Sequence, residues 1–186
     1  MKYSCIFMVL LFASVFYSCS SDDSDSQNPS LGGCITTIPF LTSDRTMTYS
    51  VNGNSGGAVL EFGNCDENGY YITRTIGSST STDLYRQNGD FLEVDSQNNG
   101  DYFAKVYKLN SQLGESWTHT QSDGTISTHE VVSVDSTITV PAGTFNCKVF
   151  SYTTSSIINT SYIFWDDQVG QIKEDAGFFI IELESY

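Results

Sequence analysis

Basic residues are scarce: eight Lys and Arg stand against 22 Asp and Glu, for a formal net charge of −14 over 186 residues. A surface this acidic repels phosphate backbones and anionic headgroups, so nucleic acid is a poor partner. Histidine is scarcer still, with only His119 and His129, and no Cys-x-x-Cys pair occurs, which argues against a zinc site. The spaced Asp residues and terminal Glu of a calcium loop are missing. Gly77-Ser78-Ser79 does not make the Gly-x-Ser-x-Gly elbow of a hydrolase. No window of helical length carries a sustained 3.6-residue period with caps, so little helix is expected. No metal or cofactor follows from the residues, and neither does the identity of a ligand.

What is present begins with an anchor. Met1-Lys2 precedes an apolar run from Ile6 to Tyr17 that is short for a bilayer span and reads as a secretory signal. The run ends at Phe16-Tyr17-Ser18-Cys19, which resembles a bacterial lipobox, in which a small residue precedes a cysteine that is diacylated and becomes the N-terminus. Ser20-Ser21-Asp22-Asp23-Ser24-Asp25 resembles the acidic run that directs Bacteroidota lipoproteins to the outer face of the outer membrane. Residues 1–18 are therefore expected to be a lipoprotein signal peptide, and residues 19–33 a lipidated Cys19 with a flexible acidic tether. Acyl chains on Cys19 would hold the chain to the membrane, each buried methylene contributing about 0.8 kcal/mol. Loss of Lys2 with the signal makes the remaining chain one unit more negative.

Five cysteines occur. With Cys5 in the signal and Cys19 lipidated, Cys34, Cys65 and Cys147 remain, and outside the cytoplasm an odd count suggests one disulfide and one buried thiol. Cys34 opens the domain and Cys65 sits at the turn Gly63 to Gly69, where a bridge would pin the N-terminal segment. Cys147 alternates with Phe145 and Val149, which suits a small buried hydrophobe. A Cys34–Cys65 bridge is the favoured pairing, with three unpaired thiols as the alternative.

Aromatics at 13%, abundant Thr and frequent turn residues favour β structure. Strand-like runs recur at Met47–Val51, Ala58–Phe62, Tyr70–Ile76, Asp83–Gln87, Phe91–Asp95 and Tyr102–Leu109. They continue from Trp117, at Thr125–Val134, Thr144–Thr153, Ile157–Trp165, Val169–Glu174 and Phe178–Ser185. Asn88-Gly89 predicts a tight type I′ hairpin. Short turns between neighbours predict one antiparallel meander, strongly curved into a half-barrel or barrel, over a single all-β domain at residues 34–186. Ile138/Val140 and Phe145/Cys147/Val149 flank Pro141-Ala142-Gly143. Pro141 cannot donate to a ladder, so this corner is expected at a sheet edge or bend.

The stretch Ile138 to Val149, with Val140-Pro141-Ala142-Gly143-Thr144-Phe145 at its centre, resembles the signature of a group of secreted bacterial lipoproteins of unknown function. Tyr162-Ile163-Phe164-Trp165, Val169 to Glu174, Glu182 to Tyr186, and Trp117 near Gly114 match that group's further motifs. The match covers roughly Gly114 to Tyr186. The resemblance implies a curved antiparallel sheet similar to the half-barrels of lipoprotein carriers and TapB-like proteins, and implies no catalytic residues.

Candidate sites are few. His119 and His129 fall on two strands of one hairpin and could serve a hydrolase, but surface histidines are the plainer reading. Asp166-Asp167 could be paired catalytic carboxylates or calcium ligands, yet Asp is favoured in such a turn for its own sake. Tyr70, Tyr71, Tyr85, Phe91, Tyr102, Phe103 and Tyr107 exceed what one face can bury, so some are candidates to face a sugar or an apolar ligand; the plainer alternative is that they fill the sheet's concavity. Asp135-Ser136-Thr137 resembles a short O-glycosylation motif of exported proteins. The expectation is a non-enzymatic binding or structural module on the outer membrane, with a glycan, apolar ligand or surface protein as partner. The alternative is an acyl-chain carrier with an open apolar interior, and a hydrolase using His119 or His129 is a third.

Overall fold

The computed structural model describes residues 34–121 and 123–186, so the signal, Cys19 and the tether lie outside the described residues. Twelve strands follow one another: β1 (Arg45–Val51), β2 (Asn54–Cys65), β3 (Tyr70–Ile76), β4 (Ser79–Asn88), β5 (Phe91–Asp95) and β6 (Ala104–Lys108), then β7 (Ser116–Thr120), β8 (Ile126–Val140), β9 (Gly143–Thr154), β10 (Ile157–Asp166), β11 (Gly170–Asp175) and β12 (Ile180–Ser185). All lie in one antiparallel sheet in the order β6-β5-β4-β3-β2-β1-β12-β11-β10-β9-β8-β7. Two six-strand meanders are thus joined where β1 pairs β12, and the sheet curls until its edges, β6 and β7, face each other. The expected all-β meander is present, nearly closed as a barrel, and no helix occurs among the described residues.

No strand ladder joins β6 to β7. The seam is bridged by side chains: the Trp117 indole N–H donates to the Lys105 carbonyl at 3.0 Å, Lys108 pairs with Glu115, and Phe91 meets Trp117 edge-on at 5.5 Å. A barrel edge left without ladder partners is its least constrained part.

The segment before β1 enters the barrel and plugs it. Ile38, Phe40 and Leu41 are almost fully buried, and the Phe40 ring lies 5.5 Å from Tyr107 on β6 and 5.4 Å from Trp165 on β10. Tyr107 in turn meets Phe150 at 5.8 Å, so rings from several walls converge on the axis. The plug is tied down by polar groups. Thr37 N–H donates to the Gln87 side-chain oxygen at 2.6 Å, Tyr70 OH donates to the Cys34 carbonyl at 3.0 Å, and Arg45 donates to the carbonyls of Phe40 and Val169. Cys34 and Cys65 form the expected disulfide, and Cys147 is a free, fully buried thiol whose pKa burial pushes up to about 12.

Two local expectations change. The β4–β5 hairpin pairs Asn88 with Phe91, so its two-residue loop is Gly89-Asp90, and only Gly89 takes a positive φ; Gly at the first loop position suits a type II′ turn. The Pro141 corner is the expected bend, where one strand turns and continues as the next, β8 into β9: Val140 pairs with Gly143, and the Ala142 N–H donates to the Leu183 carbonyl at 3.0 Å. The run before that corner belongs to one fifteen-residue strand whose register slips between Val131 and Ser136, which lets a long strand bend round the barrel. Ser136 lies on that strand, opposite Cys147.

The disulfide closes a loop with a sequence separation of 31, for which the chain-entropy model gives roughly 3–4 kcal/mol. The double substitution Cys34→Ser/Cys65→Ser is expected to lower the unfolding free energy by about that amount in urea titrations. An unchanged midpoint would show that the staple does not hold the plug.

Candidate functional site

Above the aromatic plug the barrel is not filled. A cavity of about 430 Å³ opens there, walled by strands from both meanders, with Ser96, Gln97 and Gln121 among its lining residues. The other end, lined by Phe40, Leu41, Met47 and Phe62, retains only about 30 Å³. The interior around the plug is therefore packed and apolar, and the space above it is open and lined by polar and apolar groups alike.

Strand alternation decides which residues face in. On β4, Asp83, Tyr85 and Gln87 share the inner face; on β7, Trp117 and His119 do; on β8, Ser127, His129 and Val131 do. The two histidines are therefore interior residues, contrary to the surface position expected of them. His129 is only 2% exposed; it stacks flat on Trp117, with 7° between the planes, and lies 4.9 Å from the Tyr152 ring. His119 packs against Tyr102 at 5.9 Å, across the seam.

Hydrogen-bond satisfaction sets the cavity apart. Among the described residues six side-chain polar atoms are buried without a protein partner; Asp83 Oδ1, Tyr102 OH, His119 Nδ1, His129 Nδ1 and Trp165 Nε1 belong to residues that line this one space, and Ser111 Oγ is the sixth, outside it. Each unmade bond costs about 1–3 kcal/mol, so such groups are unusual in a folded interior. Here five of the six belong to residues around one cavity.

Charge adds to the pattern. Arg74 lies 3.5 Å from Asp83, and it also acts electrostatically on Glu174, which accepts from Gln171 at 3.5 Å. Burial raises the pKa of both carboxylates, and for Asp83 the charge of nearby Asp95 pushes the same way. Asp95 is occupied locally, accepting the N–H groups of Gln97, Asn99 and Gly100. Burial lowers the pKa of both histidines, that of His129 to about 4, so both rings are neutral at pH 7.

The other expected site residues separate. Tyr85 and Tyr102 line the cavity. Tyr107 and Tyr70 are buried in the core, and Tyr107 donates to Asp167 at 2.5 Å. Phe91 packs at the seam, Phe103 lies under the Arg86 guanidinium at 3.4 Å, and Tyr71 reaches out to Asp66 at 2.8 Å. Asp166 accepts the N–H groups of Gln168 and Val169, and Asp167 pairs with Lys148 at 2.9 Å, so this acidic pair organises its turn. Among the described residues no group of three or more His, Cys, Asp or Glu is placed to hold a metal. Among the described residues neither imidazole Nδ1 meets a carboxylate or hydroxyl. Sequence reasoning missed Asp83, Glu174, Arg74, Tyr152 and Trp165. For Asp83 the signal was there, since it shares a face with Tyr85.

Linkage makes the histidines measurable. With a folded pKa near 4 against about 6.5 unfolded, His129 takes up its proton first in the unfolded chain, so stability is full above pH 6.5 and falls as pH drops towards 4. Between pH 7 and pH 5 the loss amounts to roughly 2 kcal/mol, with His119 adding in the same direction. His129→Phe keeps the ring stacked on Trp117 and removes the titration. Urea unfolding at the two pH values should therefore show a smaller drop in the variant, and an equal drop would contradict the buried neutral ring.

No family model matches the sequence, and no curated protein matches it. Among solved structures, a crystal structure of a Bacteroides fragilis NCTC 9343 protein, described as exported and as having a YmcC-like fold, superposes with a TM-score of 0.50 at 10% identity. The match covers 84% of this chain and 98% of that one. Likeness at this level concerns the fold, and the curled twelve-strand meander of this chain is similar to the architecture of that protein.

Proposed function

We propose that this protein is an exported, lipid-anchored binding module without catalytic activity, which holds a small polar ligand inside its barrel. The observation that carries the reading is that five residues lining one cavity of about 430 Å³ each carry a buried polar atom without a protein partner, a volume within the about 300–1,000 Å³ of small-molecule sites. Polar groups left buried and unpaired are affordable when a ligand or water completes them.

Export is supported by the signal-like N-terminus, by the Cys34–Cys65 disulfide, which suits an oxidising compartment, and by the described export of the Bacteroides fragilis protein with a similar fold. The anchor rests on Cys19 and its lipobox-like surroundings. A polar ligand is favoured over an acyl chain because the apolar end of the barrel is packed and the open end carries Asp83, Glu174 and Arg74. Binding is favoured over hydrolysis because neither histidine has an orienting partner.

Native mass spectrometry of the full-length protein in detergent tests this. After incubation with a polar small-molecule extract of cells, and in parallel with a fatty-acid mixture, adducts are expected from the polar extract. Ala104→Phe, which places a ring at the cavity wall, should abolish them. Adducts from fatty acids alone, or adducts indifferent to Ala104→Phe, would contradict the proposal.

A further inference from the structure

The chemistry of the partnerless atoms narrows the ligand class, an inference that rests on the cavity being the binding site. Trp165 Nε1 can only donate a hydrogen bond, and an ionised Asp83 Oδ1 can only accept one. Tyr102 OH and the two neutral imidazoles can each take either part. A simple cation offers donors alone and leaves the indole N–H unmatched. An anion offers acceptors alone, and it meets the Asp83 and Glu174 carboxylates with only Arg74 to offset them. An acyl chain offers neither. A hydroxyl both donates and accepts, so a ligand carrying several hydroxyls can answer every one of these groups and take the place of water without losing bonds.

The rest of the wall agrees. Tyr85, Tyr102, Tyr152 and Trp165 contribute aromatic surface, the kind of surface that takes the apolar C–H face of a sugar ring while side-chain hydroxyls and carboxylates take its rim. Asp83 is 2% exposed and Trp165 7%, so bonds made to them are shielded from solvent and strengthened by the low local dielectric.

We infer that the cavity binds a neutral saccharide of one or two rings, with Asp83 Oδ1 accepting from a ligand hydroxyl and Trp165 Nε1 donating to a ligand oxygen. Tyr102, gripping His119 across the β6–β7 seam, places a third polar group on the ligand from the side where the barrel is least tied.

The test is a titration series on the full-length protein in a zwitterionic detergent that carries no sugar. Probes are glucose, galactose, mannose, N-acetylglucosamine and their common disaccharides, with glucosamine and glucuronate as charged counterparts, followed by calorimetry and saturation-transfer NMR. At least one neutral sugar is expected to bind, with glucuronate at least tenfold weaker than glucose. Asp83→Asn and Trp165→Phe are each expected to weaken that binding at least tenfold with an unchanged circular dichroism spectrum. Should either variant fail to fold, Tyr102→Phe at the less buried wall takes its place with the same expected loss. Binding of no neutral sugar, or glucosamine binding more than tenfold tighter than every neutral sugar, overturns the inference. Polar-extract adducts sensitive to Ala104→Phe would still stand in that case, so failure of the sugar class and failure of the cavity reading are distinguishable.

Discussion

The packing of Phe40 between Tyr107 and Trp165 is the interaction on which the rest of the molecule depends. A twelve-strand barrel encloses more space than its own inward side chains fill. This chain answers that problem at one end only, by threading residues 38–41 into the bore and closing a ring of aromatics around Phe40. Burying rings of this size contributes several kcal/mol and fixes their orientation through edge-to-face contacts. The Cys34–Cys65 bridge, the Gln87 contacts and the Arg45 clamp all act on the same short segment. Their common effect is to keep the plug in place.

A plug at one end leaves the other end to polar chemistry. Carboxylates, imidazoles and phenols could not be spared from hydrogen bonding inside a fully collapsed core, because the desolvation penalty would go unanswered. Above the plug they stand around open volume. The seam between β6 and β7 borders the same region: Tyr102 and His119 meet across it, and Trp117 both stacks on His129 and bonds back to the Lys105 carbonyl. The unpaired edges of the sheet therefore lie beside the open cavity.

Much of the fold was legible in the residues. Period-two alternation and turn spacing give the meander, and Cys34 at the head of the domain with Cys65 at a turn gives the bridge. The cavity was less legible, for a physical reason. Alternation says which residues share a face, and it places His119 with Trp117 and His129 with Val131, a signal that the surface reading of both rings passed over. It does not say whether an inner face is packed or open, because that depends on which distant strand lies across the bore. Arg74 on β3 and Glu174 on β11 act on each other from strands far apart in the sheet order, and no local pattern announces such a meeting. The one-residue shift of the β4–β5 turn has a simpler cause: Asn88 remains in the ladder opposite Phe91, so Gly89 takes the position with positive φ.

The central claim is that an ordered aromatic plug and an open polar chamber share one barrel. An electron-density map of the protein at a resolution that resolves ordered water tests it most directly. The account predicts close-packed rings of Phe40, Tyr107 and Trp165, and above them ordered water or ligand density within hydrogen-bond distance of Asp83 Oδ1 and Trp165 Nε1. Side chains collapsed across that space, with those two atoms bonded to protein groups, would contradict it.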